Sequence, residues 1–186
     1  MLKRFYPKFY CESTYRINFE QLYTDGYRGV IFDIDNTLVP HDAPADARAE
    51  ALFSHLKELG FSCMLLSNNR ASRVEEFNKT IGVSYIEKAS KPKPGNYIEA
   101  MELMGTDKQN TIFVGDQIFT DILGANNAGI PAIMVRWIDP HEEIQIVLKR
   151  KLEALVLLGY RRFYNHSSSR DVNSPKYWKH RYELES

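Results

Sequence analysis

Four groups of residues in this 186-residue chain carry side chains able to do chemistry, and each group closes an apolar run or opens a helical pattern. They are Asp33-Ile34-Asp35-Asn36-Thr37, Ser67-Asn68-Asn69, Lys91-Pro92-Lys93-Pro94, and Gly115-Asp116 with Asp121 five positions further on. Carboxylates brought together from different parts of a chain repel one another unless a cation sits between them. Hard oxygen donors suit Mg²⁺, which keeps several waters and binds beside phosphate. A carboxylate can also attack phosphorus to give an aspartyl-phosphate. The Ser67 hydroxyl and a lysine would then face the phosphoryl oxygens, where charge collects in the transition state. A helix opening after Ser67 adds backbone N–H donors. Combined, these parts make a Mg²⁺-dependent phosphoryl-transfer site.

The elements that must position them alternate along the chain. Strands are expected at Gly29–Asp33, Ser62–Leu66, Val83–Ile86, Thr111–Val114 and Ala132–Val135. Helical spacing marks Pro44–Leu59, Arg70–Thr80, Gly95–Met104 and Ile118–Ala128, several of them followed by glycine, a common C-terminal signal. Such alternation favours an α/β fold with an open, doubly wound parallel sheet of Rossmann type. Sheets of this kind bind ligands beyond the carboxyl ends of their strands, the edge on which all four groups would fall. A last amphipathic helix is expected over Glu142–Leu158, with Ile144, Leu148, Leu152, Leu155 and Val156 on its core face. From Asn165 the sequence turns polar, so residues 1–163 are expected to form one domain and 164–186 a mobile tail.

Composition bounds the class. The chain is 44% hydrophobic and 26% charged, with 24 basic and 24 acidic residues, which excludes wholesale disorder and argues against a DNA-binding protein. Charge is unevenly spread: residues 29–148 carry 10 basic and 17 acidic side chains, residues 149–186 nine and four. Cys11 and Cys63 form no metal-binding pair, and Cys63 suits a core position. No apolar run approaches the ~18 residues of a membrane span, and no signal peptide opens the chain. The expected location is cytoplasmic.

The order DxDxT, strand-terminal Ser, KPxP and GDxxxxD resembles the four motifs of the haloacid dehalogenase (HAD) superfamily phosphatases, the capless type III branch in particular. Residues 1–163 further resemble the YqeG-type subfamily, related to mitochondrial phosphatidylglycerophosphate phosphatases. The resemblance implies Asp33 as nucleophile and Asp35 as general acid and base, with Asp33, Asp35 (through its main-chain carbonyl) and Asp116 on Mg²⁺. Thr37 would steady the loop, Ser67 and Lys91 would bind phosphate, and Asp121 would hold metal waters; Asn68, outside those motifs, is read as a substrate contact or a cap of the following helix. Lys91 is preferred over Lys93 because the family's lysine precedes the first proline. The 34 positions from Asp33 to Ser67, and 24 from there to Lys91, are each filled by one helix and one strand. No cap domain fits in either.

Single residues have plainer readings. Ser67 can cap the helix that follows it, Asp121 can be an acid near a helix start, and His41 lies just beyond the nucleophile loop. Residues 2–10 mix Lys3, Arg4 and Lys8 with four aromatics, which suits peripheral contact with the inner face of an anionic membrane or packing against the sheet. With the basic N-terminus, the resemblance implies a phosphate ester as the expected substrate: phosphatidylglycerophosphate, or a soluble sugar or nucleotide phosphate. Two readings of another class are a phosphoacceptor signalling domain and an RNA- or ribosome-associated scaffold. Asp35 argues against the former, since a receiver holds its phosphate for want of that acid.

Overall fold

In the computed structural model, residues 2–139 and 144–184 are described, with side chains for 3–139 and 151–184. Six strands, β1 (Phe9–Cys11), β2 (Gly29–Phe32), β3 (Ser62–Leu66), β4 (Ser84–Ile86), β5 (Thr111–Gly115) and β6 (Ala132–Val135), form one sheet in the order β1-β6-β5-β2-β3-β4. Every pairing is parallel, with Phe32 beside both Leu65 and Val114. Between the strands lie α1 (Phe19–Thr24), α2 (Ala47–Leu59), α3 (Ala71–Ile81), α4 (Gly95–Met104) and α5 (Leu123–Ala128), the last entered through a π-helical turn at Ile118–Ile122. Helices α6 (Ile144–His166) and α7 (Pro175–Tyr182) follow β6.

Alternation along each strand supplies two cores, one per face. Val30 and Phe32 join Phe9, Leu65, Val114, Val135, Phe53 and Phe77 on one side. Ile31 joins Met64, Phe113, Met134, Tyr97 and Ile122 on the other. The central strands β2, β5 and β6 are buried on both faces, which is why they read as unbroken apolar runs. Local chemistry sets the helix ends: Asp46 accepts the Ala49 N–H at 2.9 Å, so α2 starts there and not at Pro44.

The chain runs outward in opposite directions from the centre, β2 to β3 and β4 on one side, β5 to β6 on the other. The crevice between the ends of β2 and β5 is therefore the switch point at which such sheets bind ligands. Among the described residues the stretches between β2 and β4 hold only α2, β3, α3 and their loops, with no inserted domain over that edge.

Three features differ from the sequence expectations. The tail is structured: α7 packs on β1 and α1, burying Trp178 and Tyr182 in the first core, while Ser174 caps the helix by accepting the Tyr177 N–H. Its polar composition concealed two anchors that dominate the burial. The buried face of α6 is also rotated: Val156 is buried as expected, but Leu152 and Leu155, expected in the core, are exposed together with Leu158, while Glu153 and Tyr160 point inward. Residues 142 and 143, and the side chains of Ile144 and Leu148, lie outside the described residues. Third, the N-terminal segment supplies an edge strand, β1, which the sequence did not suggest; of the two readings given for its aromatics, packing against the sheet is the one seen, with Phe9 buried and Phe5, Tyr6 and Tyr10 against the second core.

Candidate active site

The turn after β2 carries Asp33, Asp35 and Thr37 to the switch point. It closes tightly because Thr37 and Leu38 both donate to the Ile34 carbonyl and Asn36 adopts φ 61°. Thr14 donates to the Thr37 carbonyl at 2.6 Å, and Asn36 accepts the Asp139 N–H at 2.9 Å, so the turn is held from both sides. Thr37 Oγ1 in turn lies 3.5 Å from Asp33 Oδ2 and 3.3 Å from Asp116 Oδ1.

Lys91 reaches into the crevice from the loop before α4. Its Nζ lies 2.6 Å from Asp33 Oδ1 and 2.7 Å from Asp121 Oδ1, and its side chain is 3% exposed. Asn68 holds this lysine by its peptide, accepting the Lys91 N–H at 2.8 Å, and is thereby engaged in positioning. Lys93, two residues on, is exposed. Burial alone would lower the Lys91 pKa, but the carboxylates of Asp121 and Asp33 hold it above the ordinary lysine value. Burial pushes Asp33 above the usual carboxylate range, against the pull of Lys91.

Asp116 directly follows β5, fully buried, and Asp121 comes back to it from the π-helical turn. Asp121 Oδ2 accepts the N–H groups of Asp116 (3.2 Å) and Gln117 (3.0 Å), while its other oxygen takes Lys91. Gly115 makes this return possible, because a Cβ there would lie 2.7 Å from the Asp121 side chain. Asp121 is thus the organising carboxylate of the loop, beyond the role of a surface acid. Ser67, buried at the end of β3, accepts the Asn69 N–H at 3.1 Å.

Asp35 faces a different set of partners. It accepts the Asp42 N–H (2.9 Å), Asn69 Nδ2 (2.7 Å), and Nε and Nη2 of Arg73 (3.2 and 2.8 Å). His41 Nδ1 lies 3.9 Å away. Beside these groups opens a cavity of about 750 Å³ lined by His41, Asn68, Asn69, Arg70, Arg73 and Glu76, large enough for a substrate body. Sequence reading passed over Arg73. The signal was present, because Arg73 stands one turn before Phe77 on the buried stripe of α3, and an arginine there requires a carboxylate partner.

One carboxylate oxygen each from Asp33, Asp116 and Asp121 lies within 4.8 Å of the others. Three buried carboxylates against the Lys91 ammonium, all hard oxygen donors, fit Mg²⁺. Asp33, Asp116 and the main-chain carbonyl of Asp35 would hold it.

A parallel α/β sheet with buried carboxylates and a lysine at its switch point defines the class: an enzyme of doubly wound fold with an acidic site at the strand ends. The haloacid dehalogenase-like hydrolase family model matches residues 43–129. "Probable phosphatase YqeG" of Bacillus subtilis is 33% identical over 164 residues, covering 87% of this chain and 95% of that protein. The chain therefore belongs to the HAD-like hydrolases, as a phosphatase of the YqeG type. "Phosphatidylglycerophosphate phosphatase 1, chloroplastic/mitochondrial" of Arabidopsis thaliana is 30% identical over 152 residues, which cover 76% of this chain and 44% of that longer protein. A Chlamydomonas reinhardtii protein, "Phosphatidylglycerophosphate phosphatase 1, chloroplastic", is 26% identical over 74% of this chain and 55% of its own.

Proposed function

We propose that this phosphatase is Mg²⁺-dependent, works through an Asp33-phosphate, and takes phosphatidylglycerophosphate as substrate. The observation that carries the chemistry is the Asp33 carboxylate at the end of β2, 2.6 Å from the buried Lys91 ammonium. Asp33 attacks phosphorus as the bond to the leaving oxygen breaks, and Asp35 passes its proton to that oxygen. Water then attacks the phosphorus of the acyl phosphate, Asp35 takes its proton, and inorganic phosphate leaves with Asp33 restored. Lys91 offsets the charge that nucleophile and phosphoryl group bring together, and Ser67 with the start of α3 supplies further donors. Mg²⁺, when bound, would neutralise phosphoryl oxygens and fix their orientation. In the cycle Asp35 must exchange one of its donors, Asn69 or Arg73, for the leaving oxygen.

The lipid substrate is supported by the Arabidopsis thaliana and Chlamydomonas reinhardtii relatives, which are named phosphatidylglycerophosphate phosphatases, and by a catalytic edge that no inserted domain covers among the described residues. Soluble sugar or nucleotide phosphates are the competing substrates. Phosphate release from phosphatidylglycerophosphate in mixed micelles should far exceed release from an aryl phosphate, stop with a chelator and return with Mg²⁺. Hydrolysis of the aryl ester alone would remove the lipid and leave the chemistry. With labelled substrate, Asp35→Asn should accumulate phospho-enzyme and Asp33→Asn none; equal labelling of the two would overturn the assignment of Asp33.

A further inference from the structure

Helix α6 turns leucines to solvent. Leu152, Leu155 and Leu158 are 53%, 65% and 61% exposed, and their spacing of three places them in one row along the helix, bordered at Leu152 by the inward Val156 four positions on. A row of open leucines on a folded domain marks an interaction surface.

Within residues 151–166 of the helix the exposed lysine and arginines meet no exposed acid. Lys151, Arg161 and Arg162 are exposed, whereas Glu153, the acidic residue within 151–166, is buried and accepts the Ile118 N–H at 2.7 Å. Leucines flanked by cations on an exposed helix match an anionic lipid surface, where the apolar side chains enter the acyl boundary and the cations meet headgroup phosphates. Among the described residues no helix is long and apolar enough to cross a membrane, so this contact would be made from one side.

The helix is also tied to the catalytic edge. Glu153 anchors it to the π-helical turn that carries Asp121, which follows Asp116 closely in the chain. The loop leading toward it carries the exposed Ile138 and, at Asp139, the N–H donated to Asn36 in the nucleophile turn. The aromatics at residues 5–10 are not available for the purpose, since Tyr6 packs on Tyr160 and Phe163 with ring centroids 5.6 and 5.7 Å apart.

We infer that the exposed leucine face of α6, with Lys151, Arg161 and Arg162, docks the protein on an anionic phospholipid surface and so presents the catalytic edge to substrate held in that surface. This rests on the lipid-phosphatase reading and adds to it the element that makes membrane contact.

The test uses the full chain and vesicles of phosphatidylglycerol in phosphatidylcholine, with phosphatidylcholine alone as comparison. The wild type should sediment with the anionic vesicles, and sodium chloride should weaken the association. The double variant Leu155→Glu/Leu158→Glu should lose vesicle binding by about tenfold or more, and Lys151→Glu/Arg162→Glu should lose the preference for anionic lipid. Aryl phosphate hydrolysis should be unchanged in all of them, which also shows that the variants fold. Equal sedimentation of wild type and leucine variant would overturn the inference. So would a wild-type dimer that the leucine variant converts to monomer without any vesicle binding, for the face would then cover a second copy. Vesicle binding lost in the variant while wild type releases no lipid phosphate would keep the docking surface and remove the lipid substrate.

Discussion

Arg73, in the first turn of α3, places Nε and Nη2 on the same oxygen of Asp35, at 3.2 and 2.8 Å, across 38 positions of sequence. Its side chain is 5% exposed, and Nη2 also donates to the Ala43 carbonyl at 2.8 Å. The candidate acid and base is therefore aimed by a helix that the motif carrying it does not contain. A guanidinium can make this forked contact and an ammonium cannot.

Arg73→Lys should accordingly lower kcat by about 10- to 100-fold, a part of the ~10²–10⁴ that acid–base catalysis supplies, with KM little changed. Steady-state kinetics on an aryl phosphate measures both. Adding Asp35→Asn to Arg73→Lys should cost no more than Asp35→Asn alone, since the two act as one unit. Additive losses would separate Arg73 from Asp35.

Lys91 and Lys93 offer a comparison within one motif. Lys91→Ala leaves Asp33 and Asp121 facing each other without their shared cation, so activity should fall at least about 100-fold and stability by about 3–5 kcal/mol. Lys93→Ala, at an exposed position, should stay within about twofold in rate and ~0.5 kcal/mol in stability. Initial rates and urea melts of the two variants decide the matter.

The C-terminal helix belongs to the folded unit. Trp178 is 6% exposed, stacks near Tyr182 and Tyr27, and donates its indole N–H to the Val172 carbonyl at 3.0 Å. Trp178→Ala should cost about 3–5 kcal/mol, read as a lower denaturant midpoint with the slope retained. A midpoint equal to that of wild type would mean that the segment after Asn165 contributes nothing to stability.

Acid should loosen the same helix. Asp25 is held below the usual carboxylate range chiefly by hydrogen bonding from the Arg181 guanidinium, with Tyr182 Oη also donating at 2.6 Å. A folded pKa below the unfolded value of about 3.9 makes this contact stabilising above about pH 4 and lost as pH falls through the folded value. Wild type should exceed Asp25→Asn in melting temperature at neutral pH, and the gap should narrow progressively as pH falls below about 4. A gap independent of pH would assign it to packing.

Much of this protein could be read locally. β2, β3, β5 and β6 are apolar runs ending in polar residues because strands buried on both faces admit little else, and the acids at those ends stand where backbone pairing stops. Asp33, Asp35, Ser67, Lys91, Asp116 and Asp121 could be picked out as a candidate site from residue type and order, since phosphoryl transfer would demand carboxylates, a hydroxyl and a cation. What remained was settled by contacts between distant residues. β1 is three residues long, too short to show a period, and exists because Phe9, Tyr10 and Cys11 pair with Ile133, Met134 and Val135. Arg73 and Asp35 meet only once β2 and β3 lie side by side. In α6 two apolar stripes compete, and helical periodicity cannot choose between them. Tyr6 and the Ile118 N–H select the stripe of Val156, Tyr160 and Glu153, which leaves Leu152, Leu155 and Leu158 outside. Sequence determined the candidate groups and the strand pattern, because both are properties of short segments. Tertiary packing decided which face of a helix is inside and which donor holds which carboxylate, because those depend on what the rest of the chain brings alongside.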